Sequence, residues 1–351
     1  MKAGRSRAAR CASGACALLS VVVMSGCGNS DTAGDDHVER PHTPLITALS
    51  QVKDTHLTQD WIEFGDVAGV RARSGAGSAS PRDPLLGYGE QKLADAAALL
   101  PGLTGIDPFA ARTALTLGYP PDQVGVLYGS FNTTEIGAKL RKLGYKEHAL
   151  AGGETSWIIR DHHQIDQKDP LAQLGILTAL NVVRVSSKRI VHAGATADID
   201  KTLSGARSLS DNEEVGGIAD CLGQVEAAQI GFDVNISDTP LGVGVLRPSG
   251  SDADATEVAC VTTESEGAAQ ALASGWPGRV KSTMSARAGE PWSKLLTRPR
   301  AEVVGGASHV VRLTARPTGS PRVLFDEWAV GDLGPVLTGA KPDPRLSAKP
   351  R

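Results

Sequence analysis

Apolar and polar positions change period several times along the chain, and each change predicts an element. Residues 45–52 have helical character and lead into the strand-like WIEFGDVAGVRA, which a Gly-, Ser- and Pro-rich loop, RSGAGSASPRDP, follows. EQKLADAAALLP reads as a short helix closed by Pro101. QVGVLYGS is a strand. In NTTEIGAKLRKLGYK, Asn132 and Glu135 have N-terminal capping spacing ahead of Ile136, Leu140 and Leu143, which share one helical face, and Gly144 ends the helix. GGETSWIIR and the β-branched NVVRVSSKRIVHAG then read together as a pair of strands.

A similar succession returns later. EVACVTTE is a strand and GAAQALASGWPGRV a helix; Gly289, Glu290 and Trp292 echo Gly153, Glu154 and Trp157; SHVVRLTAR and PRVLFDEW close the set as strands. Gly144-Tyr145 and Gly275-Trp276 mark the two helix ends. Duplication of one unit and independent recurrence of a common pattern both account for the echo. Strands outnumber crossover helices and come in hairpin-like pairs. The predicted class is therefore α+β, a largely antiparallel sheet with helices on one face, built from two ferredoxin-like β-α-β-β units at 45–235 and 236–338.

The N-terminus follows a different pattern. Residues 1–10 are basic, with Lys2, Arg5, Arg7 and Arg10, and residues 11–24 form an apolar run too short to span a bilayer comfortably. Small residues Ser25 and Gly26 precede Cys27, and Ser6 separates Arg5 from Arg7, so the general secretion route is expected. Met24-Ser25-Gly26-Cys27 resembles the lipobox of bacterial lipoproteins, with Met24 where that family more often carries Leu. The resemblance implies removal of residues 1–26 as a signal peptide, a diacylglyceryl thioether on Cys27, and an acyl chain such as palmitate on its freed amine. Two or three chains would hold the protein on the extracytoplasmic face of the cell membrane. The resemblance covers the first 30 residues and implies nothing about activity. Residues 27–44 and 339–351 are polar and rich in Asp, Gly, Pro or Lys, and are expected to be a flexible tether and a disordered tail.

Charge and cysteine count sharpen this picture. The chain carries 36 Lys and Arg against 39 Asp and Glu, a formal charge of −3, and losing the four basic residues of the signal segment leaves −7. Such a body has no nucleic-acid footprint. Cys11 and Cys16 depart with the signal and Cys27 carries lipid, so Cys221 and Cys260 remain as a pair expected to form a disulfide. Ser210 and Glu213 have capping-box spacing before the helical stripe Val215, Ile218, Leu222 and Val225, with Cys221 at its edge. Cys260 shares a strand face with Val258, and a helix packed on the sheet would bring the sulfurs together.

Candidate chemistry is sparse. RDHHQID gathers Asp161, His162, His163 and Asp166. The same letters occur in DHH-type phosphoesterases, whose further Asp-bearing metal motifs are missing here. If the preceding strand continued, the two histidines would face opposite ways, so the segment reads as a polar loop, with no metal or other cofactor expected. Ser308 and His309 are adjacent on a strand and also diverge. Glu63 with Asp66, and Asp326 with Glu327, read as solvated strand ends, while Trp61, Trp157, Trp276, Trp292 and Trp328 read as core anchors. The predicted function is a non-catalytic, lipid-anchored binding or accessory protein of the cell envelope, its protein or small-molecule partner unknown and seated in a cleft between the units. One alternative is the solute-binding lipoprotein of an importer, which requires two doubly wound lobes of parallel strands. Another is an envelope hydrolase using scattered carboxylates or Asp161, His162 and Asp166.

Overall fold

In the computed structural model, which describes residues 42–74, 80, 82–233, 237–248, 254–304 and 309–339, apolar and β-branched runs form fourteen strands. The first seven are β1 (Trp61–Gly65), β2 (Thr113–Leu117), β3 (Val124–Tyr128), β4 (Lys146–Ala149), β5 (Thr155–Ile158), β6 (Val182–Val185) and β7 (Arg189–Ala193). The rest are β8 (Val225–Asp233), β9 (Ser237–Leu246), β10 (Glu257–Thr263), β11 (Met284–Ser285), β12 (Glu290–Pro291), β13 (Leu296–Val304) and β14 (His309–Pro317). The signal segment, Cys27, most of the tether and nearly all of the tail lie outside the described residues.

Twelve strands make one sheet in the order β13-β14-β10-β9-β8-β1-β2-β3-β7-β6-β5-β4, and β11 and β12 pair separately. Every pairing is antiparallel. The protein is thus α+β, and the parallel doubly wound lobes required of a solute-binding component do not occur among the described residues.

Read outward from the junction of β1 with β8, the two halves start along one path. Each begins with a meander, β1-β2-β3 or β8-β9-β10. A helix then crosses outward: Thr133–Lys142 leads to the edge strand β4, from which the chain returns through β5 and β6 to β7 beside β3, while Glu266–Ser282 leads by way of β11 and β12 to the edge strand β13 and back to β14 beside β10. The second half thus has the split β-α-β-β arrangement of a ferredoxin-like unit, and the first extends the same plan with the additional edge strands β4 and β5. The halves meet between Ala193 and Val225, ahead of β8, whereas a division at 235 would cut the β8–β9 pair. Trp157 packs under its crossover helix so closely that a Cβ at Gly137 would come within 2.7 Å of its ring, and Trp292 is fully buried in the core beneath the other crossover helix.

Helices cover both faces, not one. β10 shows why: Val258 and Cys260 join a core with helices Pro44–Leu49, Thr196–Leu203 and Glu213–Leu222, while Ala259 and Val261 join another with Glu266–Ser282 and Val323–Trp328. β2 and β3 are buried along their whole length, so neither face could be left to water. The second face holds two separate cores, one under each half.

Several local expectations give way to packing or turn chemistry. WIIR, NVVRV and KRIVHA lie in three strands where a pair was expected. VAGVRA leaves β1 as the helix Val67–Ser74, and PRVLFDEW contains the helix Val323–Trp328. Pro101 opens the helix Leu100–Thr104 instead of closing its predecessor, as suits a residue lacking an N–H. Gly275-Trp276 lies inside Glu266–Ser282, because Trp276 and Val280, four residues apart, are both buried and hold the helix past the glycine. The unforeseen strand β13 contains Pro299 and a bulge between Thr297 and Arg300, features tolerated because it forms the sheet edge.

Candidate functional site

The helix Glu213–Leu222 begins at Asn212, whose side chain accepts from the N–H groups of Glu214 and Val215; Ser208 and Asp211 cap the preceding turn. A Cβ at Gly242 would come within 2.5 Å of Ile218 Cγ2, so the helix rests directly on β9. Cys221 and Cys260 are joined there by a disulfide with Cα atoms 6.1 Å apart. It fastens helix to sheet on the first face.

On the second face the central row of the sheet is polar. Gln229, Glu63, Thr116, Gly125 and His192 lie side by side on β8, β1, β2, β3 and β7. The 82–90 loop is laid across them. Cβ atoms at Gly65 and Gly89 would collide with the carbonyl oxygens of Tyr88 and Ala114, and Thr116 donates to the Gly89 carbonyl at 2.7 Å. Gly125 leaves the space in which Glu90 Oε2 meets His192 Nε2 at 3.0 Å; a Cβ there would strike both. His192 Nδ1 lies 2.8 Å from the Ala179 carbonyl. Burial disfavours the imidazolium, but the Glu90 carboxylate outweighs it and raises the His192 pKa. Burial also raises the pKa of Glu63, which accepts from Trp61 Nε1 at 3.4 Å. Tyr88 turns the other way, edge-on to Phe325 and beneath the Arg322 guanidinium. The place where a cleft between the halves was expected is therefore filled by this loop.

Two other carboxylates read as solvated, Asp66 and Glu327, are also internal, and Asp326 is half-buried. Asp66 is buried, pairs with Arg247 and accepts from Gly69 N–H. Glu327 is 1% exposed and accepts from Ser285 Oγ and Arg287 Nη1, each at 3.0 Å, while Asp326 pairs with Arg322. Glu226, which the sequence did not single out, is fully buried between Arg73 and Arg82. Trp157, Trp276, Trp292 and Trp328 are core anchors, whereas Trp61 is half-buried between Trp328 and the exposed Tyr119. His309 starts β14 at an exposed position, and Ser308 lies outside the described residues.

RDHHQID turns instead of continuing β5. His162 and His163 both have left-handed backbone, φ 53° and 57°. Asp161 accepts from Thr196 N–H (2.8 Å), Thr196 Oγ1 (2.9 Å) and His162 N–H (2.8 Å); against the opposing effect of burial, these bonds lower its pKa. Asp166 pairs with Arg160, which also holds Asp169. Asp161 and Asp166 are therefore held by different partners, Thr196 and Arg160.

His163 points elsewhere. Its Nε2 lies 3.3 Å from Asp122 Oδ1, on the loop between β2 and β3, and 3.2 Å from Asp198 Oδ2, in the first turn of Thr196–Leu203. Burial raises the Asp198 pKa, opposed by the neighbouring His163. Asp122 and Lys201 line a surface cleft of about 440 Å³ together with His56, Asp60 and Tyr119. Sequence reasoning passed over Asp122 and Asp198 because they come from segments 41 and 35 residues distant from His163.

No protein-family model matches the chain, and no curated protein matches it. Two solved structures of TP0453, a Treponema lipoprotein, are similar at 8% identity. Crystal form IV gives a TM-score of 0.36, covering 76% of this chain and 92% of that one; crystal form I gives 0.35, covering 81% and 97%. A likeness at this level carries no inference about function.

Proposed function

We propose that the protein is a non-catalytic, lipid-anchored binding or accessory protein on the extracytoplasmic face of the bacterial cell membrane. The observation that carries the anchoring is Met24-Ser25-Gly26-Cys27 after a basic segment and a short apolar one. The Cys221–Cys260 disulfide supports it, because such bonds persist in oxidising compartments. No described helix is long and apolar enough to cross a membrane. We assign partner binding to the cleft at Tyr119, where an exposed ring tilted against Trp61 stands among His56, Asp60 and Lys201.

Mass spectrometry of the N-terminal peptide from membrane-extracted protein tests the anchor. A peptide beginning at Cys27 and carrying a diacylglyceryl group, with or without a further acyl chain, is expected. An unmodified Cys27, or cleavage elsewhere, would overturn the reading.

A further inference from the structure

We propose that Asp122, His163 and Asp198 bind one first-row divalent cation, Zn²⁺ by preference, at the wall of the Tyr119 cleft. The site stands independently of lipidation at Cys27.

The three groups arrive from a strand connection, a left-handed turn and a helix start, and their ligand atoms all lie within 4.8 Å of one another. Zinc holds N and O ligands tetrahedrally at about 2.0–2.2 Å, which places neighbouring ligand atoms about 3.3–3.6 Å apart. The separations of 3.3 and 3.2 Å from His163 Nε2 to the two carboxylates lie at the short end of that spacing.

Hydrogen bonding alone leaves the arrangement short of donors. A neutral imidazole has one N–H, so Nε2 can serve only one of the carboxylates it faces. Asp198 Oδ2 receives no hydrogen bond although its side chain is only 3% exposed, and a buried carboxylate oxygen in that state is costly. Lys201 approaches the other oxygen, Oδ1, at 3.9 Å and leaves Oδ2 directed at His163. A cation seated between the three groups would satisfy Oδ2 and Nε2 together, and its two positive charges would balance the two carboxylates.

The donor set selects the ion. Calcium and magnesium prefer shells made of oxygen, whereas an imidazole with two carboxylates suits zinc and its first-row neighbours. Three protein ligands leave a coordination position open. Asp122, with a 60% exposed side chain, stands on the cleft side, so that position is available to water or to a carboxylate or carbonyl of a bound partner.

The full chain, purified in detergent and stripped with a chelator, should bind one equivalent of Zn²⁺ in calorimetric titration. One equivalent of Co²⁺ should develop visible absorption that Zn²⁺ abolishes. Asp122→Asn and His163→Gln should each weaken Zn²⁺ binding at least tenfold. Asp122 is exposed, so its variant tests the site even if Asp198→Asn fails to fold. Absence of stoichiometric Zn²⁺ binding, or wild-type affinity in both the Asp122 and His163 variants, would overturn the site. Tighter binding of Ca²⁺ or Mg²⁺ than of Zn²⁺ would overturn the assignment of the ion.

Discussion

Glu257 has its charge suppressed more by burial than by any neighbour. It sits fully buried on β10, accepting from Leu324 N–H at 3.2 Å, and burial pushes its pKa up to about 8. The folded chain therefore keeps a proton that the unfolded chain releases near pH 4.5. Its contribution to stability is greatest below that pH and is lost progressively as pH rises towards 8. Glu257→Gln, which retains an acceptor for Leu324 without a charge, should flatten the fall in melting temperature between pH 5 and pH 8.5. The raised pKa of His192 gives a decline of the same sign, so the comparison of variant with wild type isolates Glu257; an identical pH slope in both would contradict this account. In EVACVTT the residue looks like an ordinary polar strand start. Only the helix Val323–Trp328 laid over it removes the water, and no local signal announces that.

At the scale of elements, the disulfide is the feature that local pattern and packing describe alike. An isolated cysteine pair, one on an amphipathic helix and one on an apolar strand, has few other uses in an oxidising compartment. The two are 39 residues apart, and closing a loop of that length is worth about 4 kcal/mol in the chain-entropy treatment. Cys221→Ser combined with Cys260→Ser should lower unfolding free energy in urea by about that amount. A loss below about 1 kcal/mol would show that the helix docks on β9 without the cross-link. Helix ends were less legible. The spacing of Ser210 and Glu213 fits a capping box, but Asn212, nearer the helix, supplies the acceptor. Gly275 looks like a stop, yet Trp276 and Val280 gain more by burial than a glycine costs.

At the scale of the whole molecule, β1 and β8 are the hinge of the architecture. Five residue pairs from Trp61–Gly231 to Gly65–Ala227 join one half to the other. Expressed alone, residues 196–339 would expose the β1-facing edge of β8, a ready template for pairing with another chain. This half is expected to run as a dimer or aggregate by light scattering, and a stable monomer with native strand content would count against the continuity of the sheet. The Gly-Glu-Trp echo falls on different elements, Trp157 on β5 and Trp292 at the start of a short helix, although both rings lie in the cores beneath the crossover helices. By itself the sequence determined the α+β class, the crossover helix Thr133–Lys142 with its Asn132 cap and the cysteine pair, because these depend on composition and on spacings within one element. Only the tertiary structure decided that helices cover both faces, that the 82–90 loop fills the seam between the halves, and that Asp122, His163 and Asp198 converge. Each of these depends on side chains from distant segments meeting across strand pairs, and register between strands is set by the packing of the whole sheet.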